Sequence, residues 1–144
     1  MSLEQDGSTR TEFEFEGQRL SVSFVEPVAE FPGVNSKVYS FIGDETKDLA
    51  DIFIDAGAMT PRQRVVEGER TVEVYVSGIG RINVTRTTGE EESFEFGGYS
   101  TDRPFVTVLK GDIMQLQAAE DSIFIVSEVC CNPKYRPGRF ENLT

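Results

Sequence analysis

The sequence predicts an all-β fold, a sandwich or barrel assembled from about ten short strands. Apolar and polar residues alternate in several short segments, as expected of strands that bury one face. The 13 glycines and 6 prolines are spread among β-branched residues, a composition typical of β proteins with many turns. No segment keeps a helical period beyond about two turns, so we expect no helical crossover between strands.

The chain has the length of one ordinary domain, at 144 residues. Residues 1–10 are polar, and we expect them to form a flexible N-terminal segment. Residues 11–144 then form a single β-barrel domain, because no linker or internal repeat interrupts them.

The first two predicted strands form a hairpin around the turn at Gly17. Their alternating apolar residues are Phe13, Phe15, Leu20, Val22 and Phe24. Residues 38–42 and 51–55 predict two more strands, separated by a polar turn. Later strands are expected at residues 81–85, 94–96, 105–109, 112–116 and 122–129.

The clearest predicted strand covers residues 71–77. Its two faces differ, since a strand points successive side chains in opposite directions. One face carries Val72, Val74 and Val76, and the other carries Thr71, Glu73, Tyr75 and Ser77. Alternation alone leaves both faces open as the interior, and the valine face is an alternative surface for a dimer interface.

The chain is strongly acidic, with 25 acidic residues, 14 basic residues and a net charge of −11. Such a charge repels nucleic acid and anionic membranes. We therefore predict neither as a partner. A small anionic ligand requires basic residues gathered in a pocket.

Two further features bear on the compartment. No apolar run reaches the roughly 18 residues of a membrane helix, and the opening MSLEQDGSTR lacks an apolar signal-peptide core. We therefore expect a cytoplasmic protein. Cys130 and Cys131 are adjacent, so they point to opposite faces of a strand and are expected to be reduced.

Three stretches resemble the motifs of the cupin superfamily. The first combines Gly57, Thr60-Pro61, the strand at 71–77 and Gly78. The second is the turn and strand KGDIMQL at 110–116, and the third is the proline-bearing tail at 131–140. The resemblance implies a cupin-like jelly-roll β-barrel in a single domain, and a homodimer that pairs through sheet faces or edge strands.

The cupin metal ligands are absent from their positions. The motifs place Gln63 and Val65 at the first two histidines, Thr71 at the glutamate and Ser122 at the last histidine, and the chain has no histidine at all. We therefore expect no metal and no cofactor, because iron, nickel and zinc favour imidazole or thiolate ligands. An alternative is a hard cation held by oxygens of Gln63, Glu67, Glu69 and Glu73.

The resemblance also implies which residues face the interior. The strand face with Thr71, Glu73 and Tyr75 is the one that carries ligands in cupins. Glu73 would then act as an acid or base with a raised pKa, and Tyr75 would donate a hydrogen bond. Further candidate ligand-binding residues are Gln63, Thr71 and Ser122, with Arg62 or Arg64 for a carboxylate or phosphate.

A structural alternative stands beside this interpretation. In that alternative Glu73 pairs with an arginine such as Arg64 or Arg81 across the sheet, Tyr75 belongs to the core with its hydroxyl satisfied, and Gln63 is an exposed loop residue.

Three functions remain open at this point. The first is a metal-free cupin-like protein that binds a small polar or anionic molecule in the barrel. The second is a metal-independent isomerase, epimerase or cyclase that acts on a sugar or keto compound, with Glu73 as acid and base. The third is a purely structural oligomer, since a fold does not specify a function.

Overall fold

The computed structural model describes residues 9–98 and 104–143. This part of the chain contains twelve strands and no helix. The strands are β1 (Glu12–Phe15), β2 (Gln18–Phe31), β3 (Val34–Phe41), β4 (Asp44–Ile54), β5 (Arg62–Val65), β6 (Arg70–Gly78), β7 (Gly80–Thr85), β8 (Glu91–Phe96), β9 (Phe105–Leu109), β10 (Ile113–Ala118), β11 (Phe124–Cys131) and β12 (Phe140–Leu143). The all-β prediction is confirmed.

The strands form two antiparallel sheets that face each other. The large sheet has seven strands in the order β1-β2-β3-β4-β11-β6-β9, and the small sheet has five in the order β12-β5-β10-β7-β8. Strands distant in sequence are therefore neighbours, most clearly where β11 lies between β4 and β6. The sheets enclose an inner core, which includes Val34, Ile54, Val65, Ile82, Leu116, Phe124 and Val126.

The outer face of the large sheet carries a second apolar cluster. The hairpin of β1 and β2 contributes Phe13 and Phe15, and the sheet contributes Leu49, Val72 and Val129. We call this group the outer cluster. It is buried within the chain itself, so Val72, one of the three valines expected as an alternative dimer surface, is only 3% exposed.

An ion pair connects the β1–β2 hairpin with β6, a more distant strand of the same sheet. Arg70 on β6 donates two hydrogen bonds to Glu16 in the hairpin turn, at 2.5 and 2.7 Å. The guanidinium of Arg70 also lies over the Phe15 ring, 5.7 Å from its centroid. These contacts hold the pKa of Glu16 below its usual range.

The predicted flexible segment is only partly described, because residues 1–8 lie outside the described residues. Arg10, which that segment was expected to include, is attached to the large sheet. Its side chain donates a hydrogen bond of 2.8 Å to Asp51, and its backbone N–H donates one to the hydroxyl of Tyr39. Arg10 therefore contacts β3 and β4 of the large sheet.

Several strands differ from their predicted extents. β2 continues to Phe31, well beyond the predicted apolar residues, and β12 was not predicted as a strand. Cys130 and Cys131 are free and buried. Among the residues that the structure describes, none forms a helix with the length and apolar character needed to cross a membrane.

Candidate functional site

A cavity of about 360 Å³ lies between the two sheets at the end of the barrel near β12. Most of its wall is apolar, with Phe31, Val34, Val38, Ala50, Ile52 and Leu116 among the lining residues. Its polar side chains include Glu26, Glu30, Asp48, Thr60, Gln63, Glu128 and Asn142. The volume is within the range of small-molecule sites, roughly 300–1,000 Å³.

The strand period places acids in this wall. Asp48, Ala50 and Ile52 are alternate residues of β4, so they share its inner face. On the neighbouring β11, Glu128 is opposite Ala50 and Cys130 is opposite Asp48. Two acidic side chains therefore enter the cavity from adjacent strands.

Glu128 has a second carboxyl group beside it. Glu73 on β6 is directly opposite Glu128 in the strand register, and its side chain is fully buried. Apart from the carboxyl of Glu128, neither of its oxygens has a hydrogen-bond partner among the described residues. Burial, reinforced by the neighbouring charge of Glu128, raises the pKa of Glu73 well above its usual range.

Burial also raises the pKa of Glu128, and the charges of Glu30 and Asp48 add to that effect. The proton on Glu73 and the charge of Arg139 act in the opposite direction. Two adjacent buried carboxyl groups of this kind hold one proton between them over a wide pH range.

The thiol of Cys130 lies in the same wall, with its sulfur 3.8 Å from Oε1 of Glu128. Burial, followed by the charge of Glu128, raises the pKa of this thiol well above its ordinary value. Cys130 is therefore a neutral thiol at neutral pH, and it supplies no thiolate nucleophile.

One buried cation lies close to these acids. Arg139 is fully buried, and its guanidinium donates to the backbone carbonyls of Pro133, Arg70 and Cys131 and to the hydroxyl of Thr71. Burial raises the pKa of both Asp48 and Glu128, and the charge of Arg139 partly opposes that rise. Its hydrogen bonds, however, tie the C-terminal segment to the large sheet.

The C-terminal segment also completes the cavity. Tyr135 donates its backbone N–H to Asp48 at 3.2 Å, and its ring stacks on that of Phe140 with centroids 6.1 Å apart. On β12, Asn142 accepts a hydrogen bond of 3.0 Å from Gln63. Tyr135, Phe140 and Asn142 all line the cavity.

The predicted site residues are only partly brought together. Gln63 lines the cavity, as its position in the cupin frame implied. Glu73 and Thr71 lie on the inner face of β6 and are fully buried, but neither lines the cavity. Thr71 instead accepts a hydrogen bond of 3.1 Å from Arg139.

The other predicted residues lie elsewhere. Tyr75 stacks on Phe96 in the inner core, and its hydroxyl donates to the carbonyl of Gly78 at 2.8 Å. Ser122 belongs to a turn, where it accepts a hydrogen bond from the N–H of Ile79. Neither residue lines the cavity.

The arginines expected to bind an anion also lie outside the cavity. Arg62 is exposed, and Arg64 forms an ion pair of 2.9 Å with Glu141. Both alternate with Gln63 and Val65, whose side chains point inward. The strand period therefore turns the arginines away from the interior.

The structural alternative is correct for Tyr75 and wrong for Glu73. Tyr75 packs against the core, as that alternative expected. Glu73, however, pairs with neither predicted arginine, since Arg81 forms its ion pair with Glu95 and Arg64 with Glu141.

The residues do not fit a metal centre. The described part of the chain contains no group of three or more histidine, cysteine, aspartate or glutamate side chains placed to hold a metal ion. The alternative oxygen-rich site is also dispersed, because Glu67 pairs with Arg136 and Glu69 accepts a hydrogen bond from Asn132.

Sequence reasoning missed Glu128 and Asp48. The signal for Glu128 was present, since it is an acidic residue within the apolar run 123–131. Such runs are typical of strands buried on both faces, and a charge there must be buried too. Asp48 had no comparable signal, because it lies beside a polar turn.

Known structures share this architecture. The chain superimposes with a TM-score of 0.65 on an oxalate decarboxylase from Lactobacillus farciminis in complex with formate, at 19% identity over 82% of this chain and 33% of that one. An oxalate decarboxylase from Bacillus subtilis gives 0.63 at 19% identity, over 83% and 30% of the two chains. The protein has the cupin fold.

The predicted cupin-like jelly-roll barrel is therefore confirmed. A cupin-type protein from Shewanella oneidensis also superimposes on the chain, with a TM-score of 0.59 and 14% identity over 87% of this chain and 74% of that one. This chain spans about a third of the length of the oxalate decarboxylases that it resembles. No protein-family model matches the sequence, and no curated protein matches it either.

Proposed function

We propose that this cupin-fold protein binds a small polar molecule inside the barrel. The observation that carries the proposal is the cavity, a mostly apolar space of about 360 Å³ whose wall includes the buried carboxyl of Glu128. Small-molecule sites commonly combine an apolar wall with a few convergent polar groups. Gln63, Thr60 and Asn142 provide further hydrogen-bonding groups around the same space.

The charge of the cavity narrows the earlier expectation of a polar or anionic ligand. Arg62 and Arg64 point outward, and the cavity wall contains no lysine or arginine among the described residues. An anion would therefore meet carboxylates without a cation to bind it. For this reason we propose a polar ligand that is not an anion.

A thermal-shift panel tests this function. Chelator-treated protein is heated with divalent metals, sugar nucleotides, small carboxylates, polyols and amines in turn. A ligand at about 100 times its Kd should stabilise the fold by roughly 2.7 kcal/mol. Stabilisation by a metal or a carboxylate would contradict the proposed polar, metal-free site.

A matched pair of variants locates the ligand. Ala50→Leu fills the cavity, because Ala50 is part of its wall. Ala29→Leu makes the same change at an exposed residue of β2 that does not line the cavity. We expect only Ala50→Leu to reduce the ligand-induced shift. Equal shifts in both variants would place the ligand elsewhere.

The enzymatic alternative is a metal-independent isomerase, epimerase or cyclase. The Glu73–Glu128 pair favours it, since a protonated and an ionised carboxyl side by side can donate and accept a proton. Glu128 is the member that faces the cavity. Tyr75 takes no part, because its hydroxyl is bonded to Gly78 within the core.

Deuterium exchange tests this alternative. Any carbonyl compound or sugar that binds in the panel is incubated with the protein in D₂O, and incorporation of deuterium is followed by NMR. The enzymatic alternative requires exchange in the wild type that is lost in Glu73→Gln. A compound that binds but incorporates no deuterium would contradict the enzymatic alternative and support ligand binding as the function.

A homodimer, a cytoplasmic location and a purely structural role stay predictions. Light scattering of the purified protein measures its mass in solution, and a stable monomer would contradict the homodimer. A dimer that no compound in the panel stabilises would favour the structural oligomer.

A further inference from the structure

The cavity is acidic from its mouth to its interior. Glu26 and Glu30 are exposed residues of β2 at its edge, whereas Asp48 and Glu128 lie deeper on β4 and β11. No lysine or arginine is found among the described residues that line it. The space therefore carries a negative potential, which the low dielectric of the barrel strengthens.

These carboxylates lack a bonded cation. The guanidinium of Arg139 is the nearest buried positive group, but its hydrogen bonds go to three backbone carbonyls and to Thr71. For Glu128, the described contacts provide the weak thiol donor of Cys130 and the protonated carboxyl of Glu73. Neither is a cation, whereas a buried carboxylate is usually paired with one or bonded by several donors.

Glu73 gives a second indication. Its side chain is fully buried against Glu128, and among the described residues its oxygens have no partner other than that carboxyl. Two carboxyl groups side by side are costly to bury, and a strand has many apolar alternatives at such a position. A cation placed beside Glu128 would offset the repulsion within the pair.

The rest of the wall fits an organic group. Tyr135 and Phe140 stack at one side of the cavity, and Phe31 is a third aromatic residue in the wall. Aromatic faces attract cations as well as apolar surface. The wall thus combines buried carboxylates with aromatic and aliphatic contacts.

We propose that the cavity binds a protonated amine that carries a short aromatic or apolar group. The ammonium lies between Glu128 and Asp48, and the organic group packs against Phe31, Tyr135 and Phe140. This inference rests on the proposed function and adds to it the charge and chemical class of the ligand.

Binding should be linked to proton release. Glu128 is faced by Glu73 on β6, by Asp48 on β4, by Glu30 on β2, by Cys130 on its own strand and by Arg139 of the C-terminal segment. An ammonium beside Glu128 favours the ionised carboxylate, so its pKa falls on binding. The affinity should therefore rise with pH through the pKa of free Glu128, and the complex should release a proton below it.

Isothermal titration calorimetry with three compounds of similar shape tests the ligand class. Phenethylamine is cationic, 2-phenylethanol is neutral and phenylacetate is anionic. We expect phenethylamine to bind about tenfold or more tightly than the other two, because a charge-assisted hydrogen bond adds to its affinity. Titrations are repeated in two buffers with different ionisation enthalpies, at a pH below the pKa of free Glu128. They should show proton release with the amine and none with the other two compounds.

Variants assign the effect to Glu128. Glu128→Gln should weaken phenethylamine binding about tenfold or more and remove the proton release. Asp48→Asn is a second variant, and we expect it also to bind phenethylamine more weakly than the wild type does. Glu91→Gln makes the same chemical change on β8, at an exposed residue that does not line the cavity, and should bind like the wild type.

The outcomes separate the two proposals. Preference for the alcohol or the carboxylate would overturn the amine class and leave a ligand site in the barrel. Amine binding that Glu128→Gln does not weaken would overturn the assignment to Glu128. If none of the three compounds binds, the amine class is overturned, and the thermal-shift panel decides the proposed function separately.

Discussion

Glu73 and Glu128 are direct cross-strand neighbours on the inner face of the large sheet, and both carboxyl groups are buried. Glu128 faces the cavity, whereas Glu73 lies beside it and has no described hydrogen-bond partner other than Glu128. This relationship connects ligand binding with stability, because any change in the protonation of one carboxyl affects the other.

The first prediction concerns the pH dependence of stability. Burial raises the pKa of both glutamates above the ordinary value of a glutamate in the folded protein. The folded state then binds more protons than the unfolded state, so the free energy of unfolding should fall as the pH rises above about 4.5. In Glu73→Gln the free energy of unfolding should fall less steeply with pH. At about pH 8 the variant should be more stable than the wild type by about 1 kcal/mol or more.

Urea unfolding between about pH 5 and pH 8 measures this effect. The range stays below the pH at which cysteine ionises in the unfolded chain. Glu91→Gln is the control, because Glu91 is exposed on β8. Parallel pH profiles for the wild type and Glu73→Gln would show that the pair has no abnormal titration.

The second prediction concerns Arg139. Its guanidinium satisfies three backbone carbonyls and Thr71 in a fully buried position. Arg139→Met leaves those acceptors without a donor, so it should lower the free energy of unfolding by about 3 kcal/mol or more. Arg62→Met, at an exposed residue, should change it by less than about 0.5 kcal/mol. Urea titration measures the free energy of unfolding of both variants. A loss below about 1 kcal/mol in Arg139→Met would contradict the inference that Arg139 holds the C-terminal segment on the large sheet.

The third prediction concerns the outer cluster. Phe15 is 5% exposed there, whereas Phe24 on the same sheet is 39% exposed. Phe15→Ala should therefore destabilise the protein by about 3–5 kcal/mol, through lost burial and the space left behind. Phe24→Ala should cost clearly less, about 1 kcal/mol. Thermal or urea unfolding measures both, and equal losses would mean that the hairpin packs loosely.

The fourth prediction separates crowding from backbone conformation at two glycines. Gly78 has a φ of 86°, and a Cβ at this position would lie 1.9 Å from the carbonyl oxygen of Ile123. Gly89 has a φ of 92° with open space around it. Gly89→Ala should cost about 1 kcal/mol, from conformation alone. Gly78→Ala should cost at least about 2 kcal/mol more, and similar losses in denaturant would contradict the close approach.

Local alternation predicted the central strand well. The pattern at residues 71–77 corresponds to β6, Arg70–Gly78, because one face of that strand meets the inner core and the other meets the outer cluster. The length of β2 was not predictable in this way. Its second half contains Pro27, which is tolerated there because, within residues 9–98 and 104–143, β1 pairs with β2 only as far as Ser21.

The site was less predictable than the fold. Arg62, Gln63 and Arg64 were all expected to bind a ligand, although the strand period allows only alternate residues to face one side. The position of Glu128 beside Glu73 depends on the pairing of β6 with β11. These strands are distant in sequence, so no local pattern specifies which of their residues become neighbours.

The N-terminal hairpin has a consequence for synthesis of the chain. Phe13 and Phe15 are synthesised well before Val129 and Cys131, which belong to the outer cluster that covers them. During translation these aromatic side chains therefore lack part of their packing partners until β11 has been made. The acidic residues around them, Glu12, Glu14 and Glu16, then serve as gatekeepers that keep the nascent segment from associating with other chains.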